Sequence, residues 1–166
     1  MRFLAATILL CCAIPLASAQ DTYKKYRLKS DWPLGSTRMM DSGARSPIPF
    51  DKPYGELSPE HQAMLKAPYE AMGEGDEPPY PLEGTKGLWT QLMKAGDYLR
   101  EYGDLRIVVD VDPAGKATAA HVYSTPGKNT SDFMTAVLLR ERYKPALCAG
   151  TPCAQQYLFA VTSARK

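Results

Sequence analysis

GDLRIVVDVDPAGKATAAHVYS, Gly103 to Ser124, is the stretch that decides the fold. Within it Leu105, Ile107, Val109 and Val111 fall on one face of an extended chain and Arg106, Val108, Asp110 and Asp112 on the other. This period of two is that of a half-buried strand. Pro113 fixes the first corner of the DPAGK turn and Gly115 is free to take positive φ. Ala117–Ser124 then returns as the second strand of a hairpin.

On either side of the hairpin the period changes. Leu88, Leu92, Ala95, Leu99 and Tyr102 recur at helical spacing, with Gly96 weakening the middle and Gly103 ending the helix. After Ser124-Thr125-Pro126-Gly127 a second helix is expected over about Thr130–Tyr143. Asn129 or Thr130 is its cap, Ser131 and Asp132 stand in its first turn, and Phe133, Ala136, Val137 and Arg140 form its stripe. Arg140 and Arg142 suit its negative end, and Pro145 stops it. QQYLFAVTS, Gln155–Ser163, alternates as a third strand. Both of its faces are partly apolar, so the alternation leaves open which one meets the core. The fold class is therefore α+β: a small antiparallel three-stranded sheet with a helix packed on one face, preceded by a helical and irregular extension.

That extension divides in two. Residues 20–57 carry Pro33, Gly35, Gly43, Pro47, Pro49, Pro53 and Gly55 without a sustained period. They read as irregular chain draped on the domain through Trp32, Phe50 and Tyr54. In residues 58–75, Ser58 is an N-cap, Pro59 the first helical residue and Glu60 a first-turn acid; Ala63, Met64, Ala67 and Ala71 offer an apolar stripe that Pro68 cuts short. The Pro/Gly loop Gly73–Gly84 leads into the core domain, residues 76–166.

Residues 1–19 have the form of a secretory signal peptide: Arg2, an apolar run from Phe3 to Leu16, and Ala17-Ser18-Ala19 as a cleavage site. The run is shorter than the roughly 20 residues of a spanning helix. Its removal from the 166-residue chain leaves 147 residues, enough for one modest domain with a real core. It also removes Cys11 and Cys12. Cys148 and Cys153 are left as one even pair in an exported chain, which reads as a disulfide pinning the turn around Gly150 and Pro152. Zinc needs three or four ligands, and the only histidines, His61 and His121, stand alone in sequence; a redox Cys-x-x-C has two intervening residues rather than four.

Lys and Arg number 20 against 18 acids, a balance that excludes a dedicated nucleic-acid binder. The basic cluster Tyr23–Lys29 reads as a solvated tail, with contact to anionic lipid or glycan as the alternative. Asp110 and Asp112 stand two apart on one strand face without a second partner, and His61 in a helical first turn has none at i+3 or i+4. No nucleophile elbow, zinc-protease helix or phosphate loop is present. No cofactor or catalytic residue is therefore assigned. Were the chain an envelope enzyme instead, Asp110, His121 and Ser124 would be the residues to substitute.

Pro79-Tyr80-Pro81, the strand Gly103–Asp112, the turn Asp112-Pro113-Ala114-Gly115, Tyr143-x-Pro145-Ala146 and Gly150-Thr151-Pro152 stand in an order that resembles the C-terminal domain of TonB. The resemblance covers about Asp76–Ser163. It implies a sheet crossed by a helix and a binding mode in which a sheet edge receives an extended segment of an outer-membrane receptor as an added strand. TonB proteins keep an N-terminal membrane helix and a long Pro-rich spacer, whereas this chain has a cleavable leader and a short spacer. The expectation is thus a stand-alone periplasmic module. It docks a protein or peptide, or a second copy of itself, on the strand edge of Gln156, Leu158, Ala160 and Thr162.

Overall fold

A computed structural model of the chain describes residues 26–30, 37–40 and 43–164. The expected leader, Trp32 and the start of the basic cluster lie outside these residues. In chain order the elements are β1 (Arg38–Met40), β2 (Gly43–Arg45), a 3-10 turn at Tyr54–Glu56, α1 (Pro59–Lys66), β3 (Tyr80–Pro81) and α2 (Lys86–Leu99). There follow β4 (Gly103–Val111), β5 (Ala117–Ser124), α3 (Lys128–Arg140), β6 (Tyr143–Lys144), β7 (Ala146–Cys148), β8 (Thr151–Cys153) and β9 (Gln155–Ser163).

β4, β5 and β9 form the antiparallel centre expected of an α+β fold, in the order β9-β4-β5. Among the described residues the sheet nevertheless has five strands, not three. β1 adds to β9 in parallel, at Arg38↔Thr162 and Met39↔Ser163, and β2 pairs antiparallel with β1. Strands of three residues are too short to show a period, which is why the extension reads as irregular in sequence.

The inner face of the sheet settles what alternation left open. Leu105, Ile107, Val109 and Val111 of β4 meet Tyr157, Phe159 and Val161 of β9. Leu88, Trp89 and Leu92 of α2 and Met134 and Leu138 of α3 close this layer. Trp89 lies between Phe159, ring centroids 5.1 Å apart, and Phe50, at 5.4 Å. Each fully buried Leu, Val or Phe side chain here stabilises by about 1.5–3 kcal/mol. Phe50 and Tyr54 do drape onto the domain, and Leu57 joins the same core.

Three local readings need correcting. α1 starts at Pro59, with the Ser58 hydroxyl accepting from the His61 amide, and stops before Pro68 as expected; yet it buries no residue, and Leu65, not the Ala63/Met64 stripe, packs on the core. α3 buries Thr130, Ser131, Met134 and Leu138, while Phe133 and Ala136 are exposed. Met134 and Leu138, four apart, form the ridge that meets the sheet. Neither Asn129 nor Thr130 is its N-cap: that position is Gly127, which gives no side-chain bond. Glu101 caps the helix from outside instead, accepting from the Thr130 amide at 2.8 Å and from Asn129 Nδ2 at 3.2 Å. A Cβ on Gly127 would sit 2.0 Å from the Glu101 carboxyl carbon, so the residue must be glycine for this cap to close. Thr130, through side chain and main chain, and then Asn129 hold the Glu101 carboxyl below the usual carboxylate range.

The Asp112–Lys116 turn forms as its sequence requires. Asp112 Oδ1 accepts from the Ala114 and Lys116 amides, and Gly115 takes φ +77°. The Gly115 carbonyl accepts from the Tyr143 amide at 3.0 Å, so the turn is docked on the strand after α3.

Candidate functional site

β9 pairs with β4 through an unbroken register from Gly103↔Ser163 to Val111↔Gln155. Because strand residues turn their main-chain groups alternately to the two sides, Gln156, Leu158, Ala160 and Thr162 point theirs away from β4. Their side chains lie on the sheet face opposite the helices, since Tyr157, Phe159 and Val161 fill the core. The four residues expected to form the docking edge are thus the four that present main-chain donors and acceptors on that side.

The edge is not open along its length, and this corrects the reading of β9 as an outermost strand. At its end the Thr162 amide donates to the Thr37 carbonyl at 3.2 Å, where β1 joins. At its start the Tyr69 hydroxyl donates to the Gln156 carbonyl at 2.6 Å and accepts from the Leu158 amide. The Gln156 amide folds back on Gln155 Oε1 at 2.8 Å. Tyr69 is buried, and burial raises its pKa far above the ordinary tyrosine value while the Leu158 amide works the other way. Between these two caps the Leu158 carbonyl and both main-chain groups of Ala160 meet no main-chain partner among the described residues. Beside them lies a cavity of about 90 Å³ walled by Thr37, Ile48, Phe50 and Leu65. Covering an edge with loop and helix in this way is a common protection against stray strand pairing.

The opposite edge is β5, and it is bulged twice. Register shifts leave Thr118 and Tyr123 without partners on β4, so the regular run is only Ala119–Val122. Bulges twist an edge away from incoming strands.

One residue before β9 stands the stapled hairpin. Cys148 and Cys153 are disulfide-bonded with Cα atoms 5.8 Å apart, closing β7 onto β8 around Ala149 and Gly150, both at positive φ. The buried carboxylate of Asp76 ties this turn to the rest. Its Oδ1 accepts from the Ala149 amide at 2.7 Å, and its Oδ2 from the Gly73 amide at 2.7 Å and from the Tyr26 hydroxyl. Tyr26 opens a short strap whose Arg27 carbonyl and Lys29 amide bond to Glu70 and Pro68 at 2.8 and 2.9 Å. Arg27 to Lys29 are therefore docked chain, not the solvated tail that the basic cluster suggested. Nothing in the run of residues around Tyr69 or Asp76 marks either one in sequence: both act through groups distant in the chain.

The titratable residues of the outer face are tied into the sheet. Asp110 accepts from Gln156 Nε2 at 3.0 Å on one oxygen and meets His121 Nε2 at 3.0 Å on the other. Asp112 serves its turn. Ser124 Oγ donates to the Asp104 carbonyl at 3.0 Å, so the structure joins Asp110 to His121 but not to Ser124. Among the described residues no three His, Cys, Asp or Glu side chains gather as metal ligands, and no helix is long and apolar enough to cross a membrane. The disulfide is a bond of oxidising compartments. No protein-family model matches the chain, and neither does any curated protein or solved structure.

Proposed function

We propose that the protein is an exported periplasmic binding module of the TonB C-terminal type, which takes an extended segment of another protein along the outward side of β9. The observation that carries this reading is the run of unmatched main-chain groups at Leu158 and Ala160 on a strand whose other side is a regular, bulge-free ladder. The chain's own β1 already lies on this side in parallel, through only two residue pairs, so the edge accepts strands. Added main-chain hydrogen bonds would supply affinity, and the alternating side chains of the guest specificity. The 90 Å³ cavity beside Ala160 is too small for a strand, so its walls Thr37, Ile48 and Phe50 must yield when the guest enters. A segment of an outer-membrane receptor is the expected guest, with a second copy of this chain as the alternative outcome.

The test is proline at position 160. The Ala160 amide points away from β4, so Ala160→Pro removes a donor for the guest while leaving the β4–β9 ladder intact. A photo-crosslinking residue placed at position 162 should capture one receptor segment from a periplasmic extract, and Ala160→Pro should abolish that capture. Equal capture by the proline variant rules out docking at this edge.

A further inference from the structure

The stapled hairpin stands outside the main sheet. β7 and β8 form a two-stranded sheet of their own through three residue pairs, and the middle pair is Leu147↔Pro152, where proline has no amide to donate. The turn holds Ala149 at φ +49°, a left-handed conformation that a non-glycine residue keeps only where its surroundings impose it. A lone two-stranded hairpin is marginal in water, so the bond between Cys148 and Cys153 is what keeps this one shut. Residues 149–152 are exposed and Cys148 partly so, whereas Cys153 is only 7% exposed. The bond is therefore open to attack at the Cys148 sulfur.

The Tyr69 cap on β9 hangs on this hairpin from both sides. On the β9 side, Gln156 follows Cys153 by three residues, and its carbonyl is the one that Tyr69 holds. On the Tyr69 side, the Ala149 amide donates to Asp76 Oδ1 at 2.7 Å, and Asp76 Oδ2 takes the Tyr26 hydroxyl. Tyr26 begins the strap whose Leu28 is the bridge partner of Tyr69 itself. β7 is tied independently to Glu77 by two main-chain bonds of 2.9 Å. It is thus β8, the strand leading into β9, that comes away when the sulfur bond is cut.

We propose that the Cys148–Cys153 bond is a redox latch on the upstream end of the β9 edge, closed when oxidised and released by a dithiol reductant. A thiolate of the reductant attacks Cys148 Sγ, and Cys153 leaves as a thiolate and takes a proton. The second thiol of the reductant then displaces Cys148 from the mixed disulfide. Two electrons and two protons have passed to the protein, and the reductant has become a disulfide. Gln156 and Tyr69 part, and the Gln156 carbonyl and Leu158 amide join the unmatched main-chain groups beside them. The consequence for docking rests on the function proposed above; the release itself does not.

The experiment compares hydrogen exchange in the whole protein, oxidised and after reduction with dithiothreitol. The Phe159 and Val161 amides, which face β4, report on the ladder. Reduction should speed the Leu158 amide at least about tenfold beyond any change at Phe159 and Val161, with circular dichroism unchanged. In Tyr69→Phe protein, where the cap is already lost, reduction should add little at Leu158. Asp76→Asn should speed Leu158 with the disulfide intact. Equal acceleration of all three amides overturns the inference, because the bond then acts only on global stability. No acceleration at Leu158, unfolding of the reduced protein, or a full effect of reduction in Tyr69→Phe overturns it too. Capture by the crosslinker at position 162 should rise several-fold in the Cys148→Ser, Cys153→Ser protein, which leaves the extract unreduced. Capture that occurs but does not rise overturns the latch. Absence of capture in every form, with Leu158 released, leaves the latch standing and removes docking at this edge.

Discussion

Replacing Tyr69 by phenylalanine separates the stability of the β9 edge from its availability. The ring is 5% exposed and phenylalanine keeps its packing, so the change removes one oxygen. With that oxygen go the 2.6 Å bond to the Gln156 carbonyl and the acceptor of the Leu158 amide. Each such bond contributes about 0.5–1.5 kcal/mol net, and a buried group left unmatched costs about 1–3 kcal/mol. Relief from burying the hydroxyl offsets part of this, which gives an expected loss of about 2 kcal/mol. For a chain of this size that lowers Tm by about 4–8 °C. Denaturant melts measure the loss, and hydrogen exchange should show the Leu158 amide opening faster. Capture of a guest strand should move the other way and strengthen several-fold, because two more main-chain groups are released to it. Unchanged stability and unchanged exchange would refute the cap. Stability and capture falling together would refute docking at this edge.

Three further outcomes are expected. Replacing both Cys148 and Cys153 by serine should cost about 2 kcal/mol, a small value because the closed loop is short; unfolding with and without reductant provides the check. Glu101 has a lowered folded pKa, so its contribution is present above the ordinary carboxylate range and is lost as pH falls through the folded value; Glu101→Gln should flatten the acid arm of the stability profile. Tyr54, Tyr69, Tyr80, Tyr143 and Tyr157 are all raised, chiefly by burial, so the stability they confer is full below pH 10.0 and is lost above it. Their tyrosinate absorbance should therefore appear together with unfolding, not before it.

What could be read in the sequence was what repeats locally. The alternation of Leu105 to Val111 and of Tyr157 to Val161, the Asp112–Gly115 turn, the Ser58-Pro59 helix start and the Cys148–Cys153 pair each carry their signal within a few residues. The misread parts depend on partners far along the chain. α3 has ordinary apolar residues on more than one side, and only the position of the sheet selects Met134 and Leu138 over Phe133 and Ala136. Its cap comes from Glu101 across a hairpin. At the candidate site the period of β9 named the residues whose main-chain groups point away from β4, Gln156, Leu158, Ala160 and Thr162, but could not show that Tyr69 and Thr37 reach that side. The strap Arg27–Lys29 likewise docks on Pro68 and Glu70, about forty residues away, and no pattern in Tyr23–Lys29 encodes that distance.

The parallel pairing of β1 with β9 sets a schedule. A polypeptide is made from its amino end, so Arg38–Met40 exists long before the strand it must lie against. Throughout that interval the core that takes Ile48, Phe50, Tyr54 and Leu57 lacks Tyr157, Phe159 and Val161, and the hairpin of β4 and β5, whose contacts are near neighbours in the chain, is free to form first. The last strand to arrive is the one that β1 lies against, and closure of the sheet waits on its appearance.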